Sequence, residues 1–360
     1  MAFNLDALNL RALARGCAVL GTGAGGDPDL GVVMAQHAIA EHGPVAVVDL
    51  ADLDDHACVM PCGMIGAPTI ASERIWSGDE GAVLAGIFAA LHGAPVAALM
   101  CFQIGGANGL LPVTWAARCG LPLIDADGMG RTFSGLHQQA MHVAGVSASP
   151  VALTDGRDNT LVLRATDDVW AARLAGDAAA SLGGVCAAAL CGMPVVRARD
   201  AVVTGTVSLA LRLGDALAEG GIGSALAAVE QVLGGELLIE GKIVDLERRG
   251  DGDLVEGSAT VQGSGAAVGR QLRLELQNEY LLAFEDGEVR AGVPDILCVF
   301  ATDTGEPMAS ETLRYGQAVA VVAAPGPAVW RSPRGLETVG PRAFGYDVDY
   351  VPRAGAQARA

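Results

Sequence analysis

The sequence predicts an α/β protein, with a layered, mainly parallel sheet in an N-terminal domain and a second, smaller β-rich domain that forms a barrel or a sandwich. Short, uniformly apolar strands alternate with helical segments up to about residue 150, as in a parallel sheet covered on both faces. Beyond residue 236 the runs alternate in polarity and meet at turns such as Asp286-Gly287. We therefore predict an α/β domain at 1–235, a β-rich domain at 236–324 and a C-terminal arm at 325–360 that returns to the α/β domain.

The first elements lead into a glycine-rich turn. Residues 6–15 repeat Leu and Ala at helical spacing, and Gly16 is expected to end this helix. The run CAVL at 17–20 then predicts a short strand, followed by the turn GTGAGGDPDLG at 21–31.

A regular alternation follows the turn. Asp27 and Pro28 are suited to be the N-cap and first residue of a helix that runs to about His42. The apolar runs and helical spacings beyond it predict strands at 44–50, 94–106 and 121–131, and helices at 79–93 and 111–120.

The second half has a different texture. Helical spacing predicts two or three helices at 167–184, 205–220 and 223–235. Strands and turns fill 236–324, and the last residues are rich in Pro, Gly, Arg and Tyr, with an end after Pro352 that we expect to fray.

Composition excludes several classes of function. A chain of 360 residues with 51% hydrophobic residues can bury a sizeable core, and its net charge of −18 argues against nucleic acid or an anionic membrane as a partner. No signal peptide and no membrane-spanning segment is predicted. The eight scattered cysteines are expected to be buried, reduced thiols of a cytoplasmic protein.

The glycine turn raises the question of a dinucleotide site. Gly21, Gly23 and Gly26 have the G-x-G-x-x-G spacing, and Asp49 ends the next strand where a ribose-binding acid would lie. However, Asp27 places a carboxylate where a pyrophosphate needs bare amides. The alternative is a glycine turn at the ligand-binding edge of the sheet.

The stretch CFQIGGANG carries two amides just past a buried strand. Ligands bind beyond the carboxyl ends of parallel strands, and the side chains of Gln103 and Asn108 could pair with the edge of a cyclic amide or urea. In the alternative interpretation, Asn108 simply caps the following helix.

The stretch LPLIDADGMGR is the strongest local signal. Asp125 and Asp127 share one face of a strand, and two close carboxylates raise one another's pKa, which suits one of them as a general base. They could equally hold a divalent cation, pair with Arg131 or cap the next helix.

Metal and nucleophile motifs are weak. The pairs Cys58/Cys62 and Cys186/Cys191 lack a second pair at zinc spacing, and no G-x-S-x-G elbow occurs. A metal site formed by residues that are distant in the sequence stays an open alternative.

Seven long stretches, in order, carry a family resemblance. The chain resembles the S-methylthiohydantoin desulfurase-like family, long described as a domain of unknown function beside hydantoinase/oxoprolinase proteins. The matching stretches are GTGAGGDPDLG, GAPTIASER, QIGGANGLLPVTWAARCGLPLIDADGMGR, NEYLLAF, VPDILCVF, TGEPMASETLRYG and VGPRAFGYD.

The resemblance implies an α/β domain, a smaller β-rich domain and an activity that converts a small thiohydantoin to a hydantoin without a redox cofactor. It maps the acid-rich strand end of the family to Asp125, Asp127 and Arg131; among these we expect Asp127 to be the general base, with Asp125 as the second candidate and Arg131 holding a substrate carboxylate or orienting the acids. The substrate-binding residues would be Gly23, Gly25, Gly26, Asp27, Glu73, Gln103 and Asn108.

Two positions depart from the family pattern. Gln103 stands where a Glu is expected, and Arg74 follows Glu73 where a Lys is usual. Two other interpretations stay open: the glycine loop could belong to a nucleotide- or dinucleotide-binding enzyme, and the Gln103 departure with the family's gene neighbours would fit a non-catalytic partner subunit of a hydantoinase/oxoprolinase complex. A homo-oligomer is expected from base rates.

Overall fold

The computed structural model describes residues 2–74, 76–249 and 256–353. Its larger sheet is built in the order β1-β2-β5-β4-β3-β8-β6-β7, while β10 pairs with β5 and β9 with β3. The strands are β1 (Phe3–Leu5), β2 (Val45–Val48), β3 (Cys58–Gly66), β4 (Val96–Cys101), β5 (Leu123–Asp127), β6 (Val151–Thr154), β7 (Thr160–Leu163), β8 (Val185–Ala189), β9 (Met193–Pro194) and β10 (Val203–Thr204).

The helices of the described residues cover both faces of this sheet. Leu99 and Cys101 of β4 pack into one apolar cluster, and the intervening Ala98 and Met100 pack into another. The helices are α1 (Leu10–Leu20), α2 (Pro28–His42), α3 (Pro68–Glu73), α4 (Glu80–His92), α5 (Leu111–Cys119), α6 (Ala140–Val143), α7 (Asp168–Ser181), α8 (Val195–Ala198), α9 (Thr206–Ala216), α10 (Gly221–Ala228) and α11 (Pro333–Val339).

The larger sheet is mixed, which corrects the prediction of a mainly parallel one. The pairs β2–β5, β4–β5 and β3–β4 are parallel, whereas β8 pairs with β3 in the antiparallel direction and connects it to β6 and β7. A buried strand is uniformly apolar whether it pairs in the parallel or the antiparallel direction, so composition could not distinguish the two arrangements.

The second sheet is a curled antiparallel sheet of seven strands within the described residues, in the order β15-β14-β13-β12-β11-β17-β16. One of its faces packs on α1, α9 and α10 of the first layer, through residues such as Phe300. Its strands are β11 (Glu236–Arg249), β12 (Glu256–Gly263), β13 (Gln271–Gln277), β14 (Glu279–Glu285), β15 (Glu288–Gly292), β16 (Ile296–Ala301) and β17 (Ala318–Ala324).

Helix α1 corrects the expected start of the chain. It runs through Gly16 and CAVL, so the strand predicted at 17–20 is wrong. Gly16 does not end the helix; instead it lies where α1 crosses α9, and a Cβ there would lie 1.8 Å from the carbonyl oxygen of Ala210. The glycine therefore permits a close helix–helix contact.

The C-terminal segment packs against the loop that follows β5. Trp330 is fully buried and its indole Nε1 donates to the carbonyl oxygen of Met129 at 2.7 Å, while the Tyr350 hydroxyl donates to Asp295 at 2.9 Å. The predicted frayed end falls largely on residues 354–360, which lie outside the described residues.

Candidate active site

The glycine loop after α1 is a packing element. Gly23 and Gly25 have φ of +91° and +95°, and a Cβ on Gly25 would lie 2.5 Å from the carbonyl oxygen of Gly105. Two glycine loops therefore touch backbone to backbone, and the first follows a helix instead of the strand that a dinucleotide fingerprint requires. The second sheet also holds this loop, because the backbone N–H of Tyr280 donates to the Thr22 carbonyl at 2.8 Å.

Asp127, the expected general base, is fully buried at the end of β5. Its carboxylate accepts hydrogen bonds from the backbone N–H groups of Ile104 at 2.9 Å, Met129 at 3.0 Å and Gly130 at 2.8 Å. Burial raises the pKa of Asp127 to about 7, and these backbone bonds act in the opposite direction. The carboxylate thus ties together the two loops that follow β4 and β5.

Asp125 is directed at the start of α9. It accepts from the Ser208 backbone N–H at 3.0 Å and from the Ser208 hydroxyl at 2.5 Å. Of the alternatives that the sequence left open for this acid, its contacts resemble the capping of a following helix.

The Arg131 guanidinium is buried between the two sheets. It donates to the Thr132 carbonyl at 3.1 Å, to the Thr22 hydroxyl at 2.9 Å and to the carbonyl of Asp295, and it lies over the Phe133 ring at 4.6 Å. Burial lowers the pKa of Arg131 to about 10, and nearby Glu279 and Asp295 oppose this shift. These contacts connect the glycine loop, the loop after β5 and the second sheet.

A cavity of about 350 Å³ opens beyond the carboxyl ends of β3, β4 and β5, next to the glycine loop. This is the edge at which parallel strands bind ligands. Apolar side chains form much of its wall, and the polar groups come from three loops and α7. Its lining includes Gly25, Gly26, Met64, Phe102, Gln103, Asn108, Met129, Thr132, Phe133, Ser134, His137 and Asn278.

Two polar side chains of this cavity have no hydrogen-bond partner within the described residues. Gln103 is only 6% exposed and lines the cavity, where water or a ligand can reach its side-chain amide. Thr132 is 2% exposed, and its hydroxyl is buried and unpaired in that part of the chain. Buried polar groups are normally satisfied, so the Thr132 hydroxyl has an unmade hydrogen bond, while the Gln103 amide is open to a partner from the cavity.

Asn108 is already engaged. Its side-chain oxygen accepts from the Met64 backbone N–H at 2.6 Å, and its amide nitrogen donates to the Met64 carbonyl at 3.1 Å. It does not cap α5, and it fixes the end of β3 at the cavity wall.

His137 brings a titratable group to the same cavity. Its Nδ1 is buried without a hydrogen-bond partner among the described residues. Burial lowers the pKa of His137, with a further contribution from His142 that Asp168 opposes. The imidazole is therefore neutral at pH 7 and able to accept a proton.

A larger cavity of about 600 Å³ lies on the other side of the glycine loop and shares Ala24, Gly26 and Asn278 with the first. Asp27 lines it and caps α2, accepting from the Asp29 backbone N–H at 2.9 Å. Its lining also includes the charged residues Arg11, Arg15, Asp29, Glu306 and Glu311.

The structure brings together only part of the predicted set. Gln103, Asn108, Gly25 and Gly26 line the smaller cavity, and Gly23, Gly26 and Asp27 line the larger one. The remaining predicted residues line neither cavity: Glu73, which is exposed, and Asp125, Asp127 and Arg131, which are buried.

Sequence reasoning missed most of the residues that line the smaller cavity, including four with polar side chains that bear on its chemistry. Thr132, Ser134 and His137 follow the DGMGR run in TFSGLH, and Asn278 begins the matched stretch NEYLLAF. The signal that could have found them was their position after a strand end that had already been singled out.

The described residues contain neither a cluster of metal ligands nor a disulfide. No group of three or more His, Cys, Asp or Glu side chains there could hold a metal ion. All eight cysteines are free, and seven of them are buried. No helix of the described chain is long and apolar enough to cross a bilayer.

Comparison with known proteins identifies two matching domain models. The model described as S-Me-THD-like, N-terminal domain, matches residues 8–165, and the one described as S-Me-THD-like, C-terminal domain, matches residues 166–353. A crystal structure of a structural-genomics protein from Chromobacterium violaceum has a TM-score of 0.82 at 23% identity, over 98% of this chain and 100% of that chain. This likeness shows a shared fold. No curated protein matches the chain.

Proposed function

The chain belongs to the S-Me-THD-like family, and on that premise we propose that it hydrolytically removes sulfur from a small thiohydantoin ring and releases a hydantoin. The proposed site is the cavity of about 350 Å³ beside Gln103. Asp127, which the sequence suggested as the base, serves in this proposal to position the loops.

The unpaired amide of Gln103 is the observation that carries the proposal. A primary amide donates and accepts in one plane, as does the N–H and C=O edge of a cyclic amide. A ring whose N–H and C=O both pair with this amide exchanges its bonds to water for two fixed bonds, which orient the ring in the cavity. Thr132 offers a second unpaired group on the same wall.

The apolar wall supports a flat ring. Phe102 and Phe133 lie in the lining with Met64 and Met129. Cavities of about 300–1,000 Å³ with apolar walls and a few polar groups are the usual form of small-molecule sites.

His137 is the proposed general base. Water adds to the ring carbon that bears sulfur, and the imidazole takes the proton that water loses. The C–S bond then breaks, the carbonyl forms, and the thiolate leaves as a thiol after it gains a proton. One water is consumed for each thiol released.

Asp127 acts in this proposal as a positioning residue that does not touch the substrate. By binding the N–H groups of Ile104 and Gly130 it fixes the loop of Gln103 and the loop of Thr132 relative to each other. Its assignment as general base remains the competing prediction.

The test is thiol release from S-methylated and free 2-thiohydantoins, with plain hydantoins as blanks. We expect His137→Gln to lose about 10²–10⁴-fold in kcat/KM, with exposed His56→Gln as the matched control. In the parent, kcat/KM should fall as the pH drops below the His137 pKa, which lies under the ordinary histidine value of 6.5. Absence of thiol release from every compound by the folded parent would refute the proposal.

A further inference from the structure

A buried carboxyl of the second sheet reaches the wall of the smaller cavity. Glu279, the first residue of β14, is fully buried, and its Oε1 lies 2.7 Å from the Ser134 hydroxyl oxygen. Ser134 lines the cavity and is itself exposed. Together they form a short hydrogen-bonded path from the interior to the proposed substrate.

The surroundings of Glu279 suit a carboxyl that exchanges a proton. Its Oε2 has no hydrogen-bond partner within the described residues. Burial raises the pKa of Glu279 to about 7, and the Ser134 bond and the Arg131 guanidinium act in the lowering direction. A mixture of protonated and ionised carboxyl is therefore present near neutral pH.

We propose that Glu279 and Ser134 form a relay that protonates the departing sulfur. This inference rests on the proposed function. It assigns Ser134 as the catalytic hydroxyl and Glu279 as the residue that acts through it.

The step balances with the base already proposed. The Ser134 hydroxyl gives its proton to sulfur as the C–S bond breaks, and it receives the proton of Glu279 in return. The protonated His137 then returns the proton taken from water to the Glu279 carboxylate, by way of water in the cavity and the Ser134 hydroxyl, which passes its own proton to Glu279 and takes one from that water. No oxidant, reductant or metal is needed.

The test compares two leaving groups of nearly equal size. S-ethyl and S-trifluoroethyl thiohydantoins differ mainly in how stable the free thiolate is, so only the ethyl compound needs an acid. We expect Glu279→Gln and Ser134→Ala to lower kcat/KM for the ethyl compound by about 10²-fold. For the trifluoroethyl compound we expect a change within about tenfold, the limit that a lost neutral hydrogen bond sets.

Ser134→Thr keeps the hydroxyl and should restore the ethyl reaction. Ser134→Ala changes an exposed position, so it tests the relay even if Glu279→Gln does not fold. Equal losses for both leaving groups would overturn the relay and leave the proposed function intact. A parent that releases neither thiol would overturn both.

Discussion

Asp127 and Ile104 are joined by a hydrogen bond of 2.9 Å from the Ile104 backbone N–H to the Asp127 carboxylate, across the ends of two neighbouring parallel strands. Ile104 directly follows Gln103, so this bond fixes the backbone position from which the Gln103 side chain extends to the cavity. The same carboxylate binds Gly130 of the loop that carries Thr132. One buried acid therefore aligns both unpaired polar groups.

Asp127→Asn should uncouple these loops. The amide that replaces one oxygen faces backbone donors, so we expect a loss of about 1–3 kcal/mol in the free energy of unfolding. Kinetically, kcat/KM should fall while the acid limb of its pH profile keeps its position. Urea unfolding and thiol release measure both, with exposed Asp177→Asn as the control. A variant of full stability whose acid limb has vanished would instead identify Asp127 as the base.

Arg131→Met should destabilise the fold severely. The guanidinium is fully buried near Glu279 and Asp295 and donates to three oxygen acceptors, so its removal leaves these acceptors without their donor and takes the positive charge away from the two carboxyls. We expect a cost of about 3–5 kcal/mol, against less than about 0.5 kcal/mol for exposed Arg164→Met. A small effect of Arg131→Met in chemical denaturation would contradict the connecting role.

Stability should fall as the pH rises from about 4.5 to about 7. The folded pKa of Glu279 is about 7 and its ordinary value is 4.5, so the folded state holds a proton that the unfolded chain has released in this window. Stability from this group is complete below pH 4.5 and is lost as the pH approaches 7. Asp127 and Asp295 shift in the same direction.

Urea unfolding at both ends of this window should show a smaller decrease for Glu279→Gln than for the parent. Exposed Glu288→Gln should behave like the parent. An unchanged decrease in Glu279→Gln would contradict a raised pKa at this site.

Gly16→Ala tests the contact between α1 and α9. Its Cβ would overlap the Ala210 carbonyl, so we expect a loss of about 3 kcal/mol. Gly86 lies in α4, where an added Cβ would have nothing within 4 Å, and Gly86→Ala should raise stability by about 0.5–1 kcal/mol. Thermal melts of the two variants should shift in opposite directions. A Gly16→Ala variant as stable as the parent would show that α1 and α9 do not make their close contact at Gly16.

The sequence predicted those helices whose ends are marked by capping residues nearby in the chain. Asp27 and Pro28 marked the start of α2, and its end at His42 is confirmed. The central strand β3 was missed, because CVMPCGMIG contains Pro61 and Gly63 and owes its place to neighbours on both sides. Pairing of that kind depends on contacts distant in sequence, which a local pattern does not contain.

Only those residues of the candidate site that directly follow a recognisable strand could be predicted from the sequence. Gln103 followed from its position after a buried strand, and the structure places it in a cavity at that edge. Glu279 could not be linked to Ser134, because 145 residues separate them and only the packing of the second sheet on the first brings them together.

Calorimetric binding of hydantoin to the parent, Gln103→Met and Arg11→Met tests directly whether the ring binds in the smaller cavity. The two variants alter the smaller and the larger cavity respectively. We predict that Gln103→Met weakens binding at least about tenfold, or about 1.4 kcal/mol, while Arg11→Met changes it less than about twofold. Parent-like affinity in Gln103→Met together with lost affinity in Arg11→Met would place the ring in the larger cavity and overturn the proposed site.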